Sequence, residues 1–136
     1  HQKYTDIINE IADELFEKII NNYQEYPLNT KSYAINCIAH ILSPEIILSA
    51  DQIFCFDLFE IILDHLNLFF HEDQMNLFFI IRSLIIIGNH SEYESQLRDF
   101  FWNSDVIELL EEILYDESHS DINNEFIENI RIFMNQ

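Results

Sequence analysis

Glycine is nearly missing from this chain: Gly88 is the only one in 136 residues, and Pro27 and Pro44 are the only prolines. Tight hairpins need glycine or Asn-Gly-type turns, so a strand-rich fold built on short hairpins is excluded. A glycine-rich phosphate loop goes with it, and so do the nucleotide-binding classes that depend on one. Cations are scarce as well. Six Lys and Arg stand against 25 Asp and Glu, a net charge of −19. Nothing therefore supplies the clustered positive charge that binds nucleic acid or an anionic membrane surface. Cys37 and Cys55 are too few for a disulfide scaffold; a single bridge stays open, and two buried thiols in a reducing compartment are the simpler reading. No apolar run approaches the roughly 20 residues of a membrane span. The most apolar one, Leu77 to Ile87, is interrupted by Arg82. His1 to Glu10 carries acids and lacks the apolar region of a secretory signal, and His1 and Gln2 read as a remnant ahead of the domain. The expected location is intracellular, cytoplasmic or nuclear.

What the chain does have is apolar periodicity, with 49% hydrophobic residues. That is too many for an acidic disordered tail and enough for one domain, expected over 1–136. Ile7, Ile8, Ile11, Ala12, Leu15, Phe16, Ile19 and Ile20 recur in pairs every four residues, one broad stripe on a helix with Thr5 as N-cap. A second helix is expected from about Thr30 to Leu42. Ser43-Pro44-Glu45 then reads as the start of a short helix to about Ser49. Asp51 opens a long helix to about Leu68, and another runs from about Asp73 to Ile87, with Gly88-Asn89 as its stop signal. A short helix around Ser95 to Trp102 precedes the capping cluster Asn103-Ser104-Asp105. Val106 to Leu114 forms the helix behind it, and the last begins near Ser120-Asp121. Ile-rich segments are not favoured helix formers, but spacing, caps and length outweigh propensity here.

The pattern repeats. Tyr33 to Ala39 aligns with Phe79 to Ile85 and again with Glu125 to Arg131, at the same 46-residue step. Leu58-Phe59-Glu60-Ile61-Ile62 aligns with Val106-Ile107-Glu108-Leu109-Leu110. A three-helix unit of about 40–47 residues is the signature of HEAT and armadillo arrays.

On those residues the chain resembles the armadillo-repeat family, in the style of importin alpha. Thr30 to Ala39, Ile47 to Ile53 and Leu58 to Leu63 look like one repeat; Phe79 to Gly88, Gln96 to Ser104 and Val106 to Leu114 look like another. The resemblance implies an all-α right-handed solenoid, about two full three-helix repeats with partial repeats at both ends. It also implies a concave groove for an extended peptide. In importin alpha the groove helix carries a Trp and, four residues on, an Asn. The matching positions here are Tyr33 and Cys37, Phe79 and Ser83, Glu125 and Asn129, of which only Asn129 keeps its chemistry and Tyr33 an aromatic face.

No catalytic or metal motif accompanies the repeat. The acids crowd Asp6 to Glu17 and Glu108 to Glu117, either as a solvated face or as a field that steers a basic segment. They show no calcium-loop spacing, and the six His make no zinc signature, Cys37 and His40 included. Neither a nucleophile elbow nor an oxyanion-hole motif appears. Phe100, Phe101 and Trp102 follow one another and cannot all point inward; Tyr23 and other tyrosines near helix ends read as amphipathic boundary residues.

The expectation is thus a scaffold or transport adaptor, not an enzyme, without cofactor or metal, binding a protein segment that is more basic than acidic. Groove contacts are expected from Tyr33, Asn36, Phe79, Arg82, Ser83, Glu125 and Asn129. Of the six cations, Lys31, Arg82 and Arg131 fall on the groove helices, either paired with neighbouring acids or open to carboxylates of a peptide. The last helix carries more apolar residues than one stripe buries, so Trp102, Phe126, Ile130 and Phe133 are expected to form an interface, with a second copy or within a longer array. A different class, a compact viral Bcl-2-like bundle that takes an amphipathic helix, matches the composition but does not predict the 46-residue step.

Overall fold

A computed structural model describes residues 2–42, 50–68, 73–116 and 121–135, with backbone alone at 2–5, 56, 113–116 and 121–123. Among the described residues every regular element is helical, as the periodicity requires. They are α1 (Gln2–Asn22) followed by one 3-10 turn (Tyr23–Glu25), α2 (Leu28–Ile41), α3 (Ala50–Ile53) and α4 (Phe56–Leu68). After them come α5 (Gln74–Gly88), α6 (Glu94–Asn103), α7 (Val106–Asp116) and α8 (Asp121–Met134). The chain divides into two compact units, His1–Ile87 and Gly88–Gln136.

In the first unit α1 packs against both α2 and α4. Ala12, Phe16, Ile19, Ile20 and then Tyr23 are its buried residues, three or four apart as one helix face demands. Ile35 and Ile38 of α2 and Leu58, Ile61 and Ile62 of α4 are equally closed to solvent. Each such side chain contributes about 1.5–3 kcal/mol relative to exposure. The paired stripe expected on α1 splits, however: Ile7, Ile11 and Leu15 are exposed while their neighbours turn inward. Thr5 is no cap, since the helix already begins at Gln2.

The long helix expected from Asp51 is broken at Phe54-Cys55. The reason lies in the phase. In an unbroken helix Ile53 would share a face with Asp57 and Glu60, four and seven residues on, and both of these are exposed. The break turns Ile53 and Phe54 inward, where each is 3% exposed. The expected short helix at Glu45–Ser49 and the Ser43-Pro44-Glu45 start lie outside the described residues.

α5 ends at Gly88, but Gly88 does not take the left-handed conformation; His90 does, with φ 63°. The Gly88 carbonyl is capped by Ser91, whose backbone N–H and Oγ both donate to it at 3.1 and 2.6 Å.

The second unit packs α6 and α7 against α8. Phe101 stands edge-on to Phe133, centroids 6.0 Å apart. Arg98 Nε and Trp102 Nε1 donate to the carbonyls of Phe133 and Met134, at 3.4 and 3.1 Å. α6 thus supplies the last turn of α8 with donors and, through Arg98, with a positive charge at the negative end of the helix dipole. Ser104 Oγ joins α6 to α7, donating to the Phe100 carbonyl at 2.5 Å and accepting from the Val106 N–H at 3.4 Å. Ile127, Ile130, Phe133 and Met134 are all buried, so most of the apolar excess expected on the last helix is closed to solvent, with Ile132 left exposed.

Burial at positions 46 residues apart agrees in part. Tyr33, Asn36 and His40 of α2, Phe79, Arg82 and Ile86 of α5, and Glu125, Glu128 and Ile132 of α8 are all exposed. Ile35, Ile38 and Leu42, Ile81, Leu84 and Gly88, and Ile127, Ile130 and Met134 are all buried. At these six positions the three helices agree, whereas Cys37, Ser83 and Asn129 are half-buried, buried and exposed in turn.

Candidate binding groove

A concavity that combines polar groups lies in the first unit. A cavity of about 470 Å³ opens between α2, which contributes Leu28, Asn29, Ser32, Tyr33 and Asn36, and the start of α5, which contributes Asp73 and Asn76. Pro27 starts α2 with φ −61°, and the Lys31 N–H closes the first helical bond on its carbonyl at 2.9 Å. From there Asn29, Tyr33, Asn36 and His40 fall on one outward row, spaced four, three and four apart. Met75, Phe79, Arg82 and Ile86 form the corresponding row on α5. Tyr33, among the residues that line the cavity, stands 72% exposed.

Behind the cavity lies a chain of buried hydrogen bonds. Ser32 Oγ donates to Asp73 Oδ2 at 2.7 Å, and His65 Nε2 meets the same oxygen at 2.7 Å. The other imidazole nitrogen, Nδ1, lies 2.7 Å from Tyr23 Oη. An ionised carboxylate only accepts, so Nε2 carries a proton, and in the neutral imidazole Nδ1 then accepts from the phenol. Every polar hydrogen in the relay then has an acceptor. Burial, and after it the charges of Asp64 and Asp73, push the Tyr23 phenol well above its ordinary value, which keeps it a donor. Lys31 Nζ sits 3.3 Å from Asp64 and 5.0 Å from the centre of the Tyr23 ring.

The relay joins the 3-10 turn, α4, the start of α5 and α2. It fixes the cavity floor, so Asp73 reaches the cavity with its charge already shared by two donors. Ser32 Oγ bonds the Asp73 carboxylate. Among the described residues no group of three or more His, Cys, Asp or Glu is placed to hold a metal ion. Cys37 and Cys55 are both free thiols, and burial raises the Cys55 thiol above its usual value.

The expected groove residues fall in three places. Tyr33 and Asn36 share the cavity. Phe79 and Arg82 are exposed on the outward row of α5, whereas Ser83 is 9% exposed and faces inward. Glu125 and Asn129 are exposed on α8 of the second unit. Two of the three groove-helix cations are engaged, Lys31 with Asp64 and Arg131 with Glu111. Of the expected interface residues, Ile130 and Phe133 are buried and Phe126 is half-buried, which leaves Trp102 exposed. Phe101 is core and Phe100 half-buried.

Sequence reasoning missed the relay. Tyr23, placed at a helix boundary, is fully buried, and Ser32 and Asp73 carried no signal because their partners are 41 and 8 residues away. Among the described residues no helix is long and apolar enough to cross a membrane. Set against models of known protein families, curated protein sequences and solved structures, the chain shows no match.

Proposed function

We propose that the chain is a protein-binding module of armadillo-like helical repeats, a scaffold or adaptor rather than an enzyme, that holds an extended partner segment along α2 and α5. One observation carries the reading: the cavity between these helices is lined by three carboxamides, Asn29, Asn36 and Asn76, beside the exposed ring of Tyr33. A carboxamide both donates and accepts, so it pairs with either backbone group of an extended chain, which has no internal partners for them. The Tyr33 ring offers a face to an aliphatic stem or a cation. A net charge of −19 favours a basic segment and speeds its encounter. The agreement of α2, α5 and α8 at six positions supports reading them as equivalent helices of successive repeats. A bundle built to take an amphipathic helix would line its groove with apolar side chains instead.

Selection from a random library of short peptides displayed on phage tests this. The chain is expected to enrich sequences rich in Lys and Arg without helical periodicity. Tyr33→Ala and Asn36→Ala should each weaken the selected peptide by about tenfold. Enrichment of acidic sequences, or undiminished binding by both variants, would contradict the proposal.

A further inference from the structure

α1 carries a second surface, separate from the α2–α5 groove. Ile7, Ile11 and Leu15 are 48, 58 and 41% exposed. They recur every four residues and form an apolar strip that borders the buried face, since Ile19, the next residue of the same row, is already closed to solvent. Asp6, Glu10 and Glu14 each precede one member of the strip, and these acids and Glu17 are exposed. At about 100° per residue that offset sets the carboxylates in a column along one flank of the strip. Lys18 lies on the line of the strip beyond Leu15 and ends it.

We infer that this face of α1 docks a basic amphipathic helix of a partner protein, with apolar side chains on the strip and Lys or Arg along the acidic flank. The charge pattern selects this occupant. A second copy laid antiparallel would bring the two acidic columns side by side, between molecules that each carry −19. A basic helix in the same place neutralises the column and covers the strip at once. The lone apolar strip is too narrow to hold a partner without the charges, and the charges alone would select no secondary structure.

The probe is a fluorescent helical peptide about 18 residues long, with a Leu stripe and Lys along one flank. Two control peptides carry Glu for Lys or Gln for Leu, and anisotropy is read against the whole chain. The Leu/Lys peptide is expected to bind, and each control to bind at least about tenfold more weakly. Ile11→Asn should weaken the Leu/Lys peptide to a similar degree while leaving the helical circular dichroism and the groove-selected peptide unaffected. The double charge reversal Glu10→Lys with Glu14→Lys should transfer preference to the Leu/Glu peptide. Absence of Leu/Lys binding, equal binding by the Gln control, or indifference to Ile11→Asn would overturn the inference. So would a concentration-dependent dimer that Ile11→Asn dissolves, which would assign the strip to a second copy.

Discussion

His65 Nε2 and Asp73 Oδ2 are 2.7 Å apart, with both side chains almost closed to solvent. Asp73 also accepts from Ser32, and His65 also accepts from Tyr23, so removing the carboxylate charge disturbs two elements together. Asp73→Asn is expected to lower stability by about 1.5–3 kcal/mol, the range for hydrogen bonds to a charged group. Tyr23→Phe should cost about 1 kcal/mol, since it removes one neutral donor. The pair should couple by at least about 0.5 kcal/mol in a double-mutant cycle. Urea denaturation, with the slope unchanged, measures all three.

Tyr23 also gives stability a dependence on alkaline pH. Its phenol is held above the ordinary 10.0 in the folded chain. Above that pH the unfolded chain loses a proton that the folded chain keeps, so rising pH favours unfolding. The contribution is whole below pH 10.0 and falls progressively above it. Urea midpoints across this range should fall more steeply for the native chain than for Tyr23→Phe. Parallel curves would contradict the burial of the phenol.

The register of α8 separates neighbours two residues apart. Ile130 is closed to solvent and Ile132 is 50% exposed. Ile130→Ala is expected to cost about 2–5 kcal/mol, and Ile132→Ala to stay within about 0.5 kcal/mol. Similar losses at the two positions, in thermal or urea unfolding, would refute the assigned face.

How far the residues announce this architecture depends on whether the signal is local. The helical class is legible because apolar residues three and four apart, such as Ala12, Phe16 and Ile19, mark the buried face of each helix locally. The break at Phe54-Cys55 is not, since a continuous apolar run hides the phase change that brings Ile53 inside. On α1, Ile7 and Ile8 are chemically alike, so composition cannot say which of the two a neighbouring helix covers. The cavity is half legible. Tyr33 and Asn36 follow from the repeat, whereas Asp73, Ser32, His65 and Tyr23 meet only after the helices pack.

Trp102 offers a further test in the second unit. Its N–H donates to the Met134 carbonyl at 3.1 Å while over half of the residue remains exposed. Trp102→Phe should lower stability by about 0.5–1.5 kcal/mol. Amide exchange should quicken in the last turn of α8 more than in α7, because that turn loses a capping donor. Uniform quickening across the unit would contradict a local cap.

The central claim is that the outward row of α2 and the start of α5 around Asn76 form one binding surface. Amide chemical-shift mapping of the isotope-labelled chain, titrated with a peptide selected from the random library, tests it most directly. The account predicts that the largest changes fall on Asn29, Tyr33, Asn36, Asn76 and Phe79, with α1 and the buried row at Ile35, Ile38 and Ile81 little altered. Changes centred on α1, or spread evenly over the acidic surface, would contradict it.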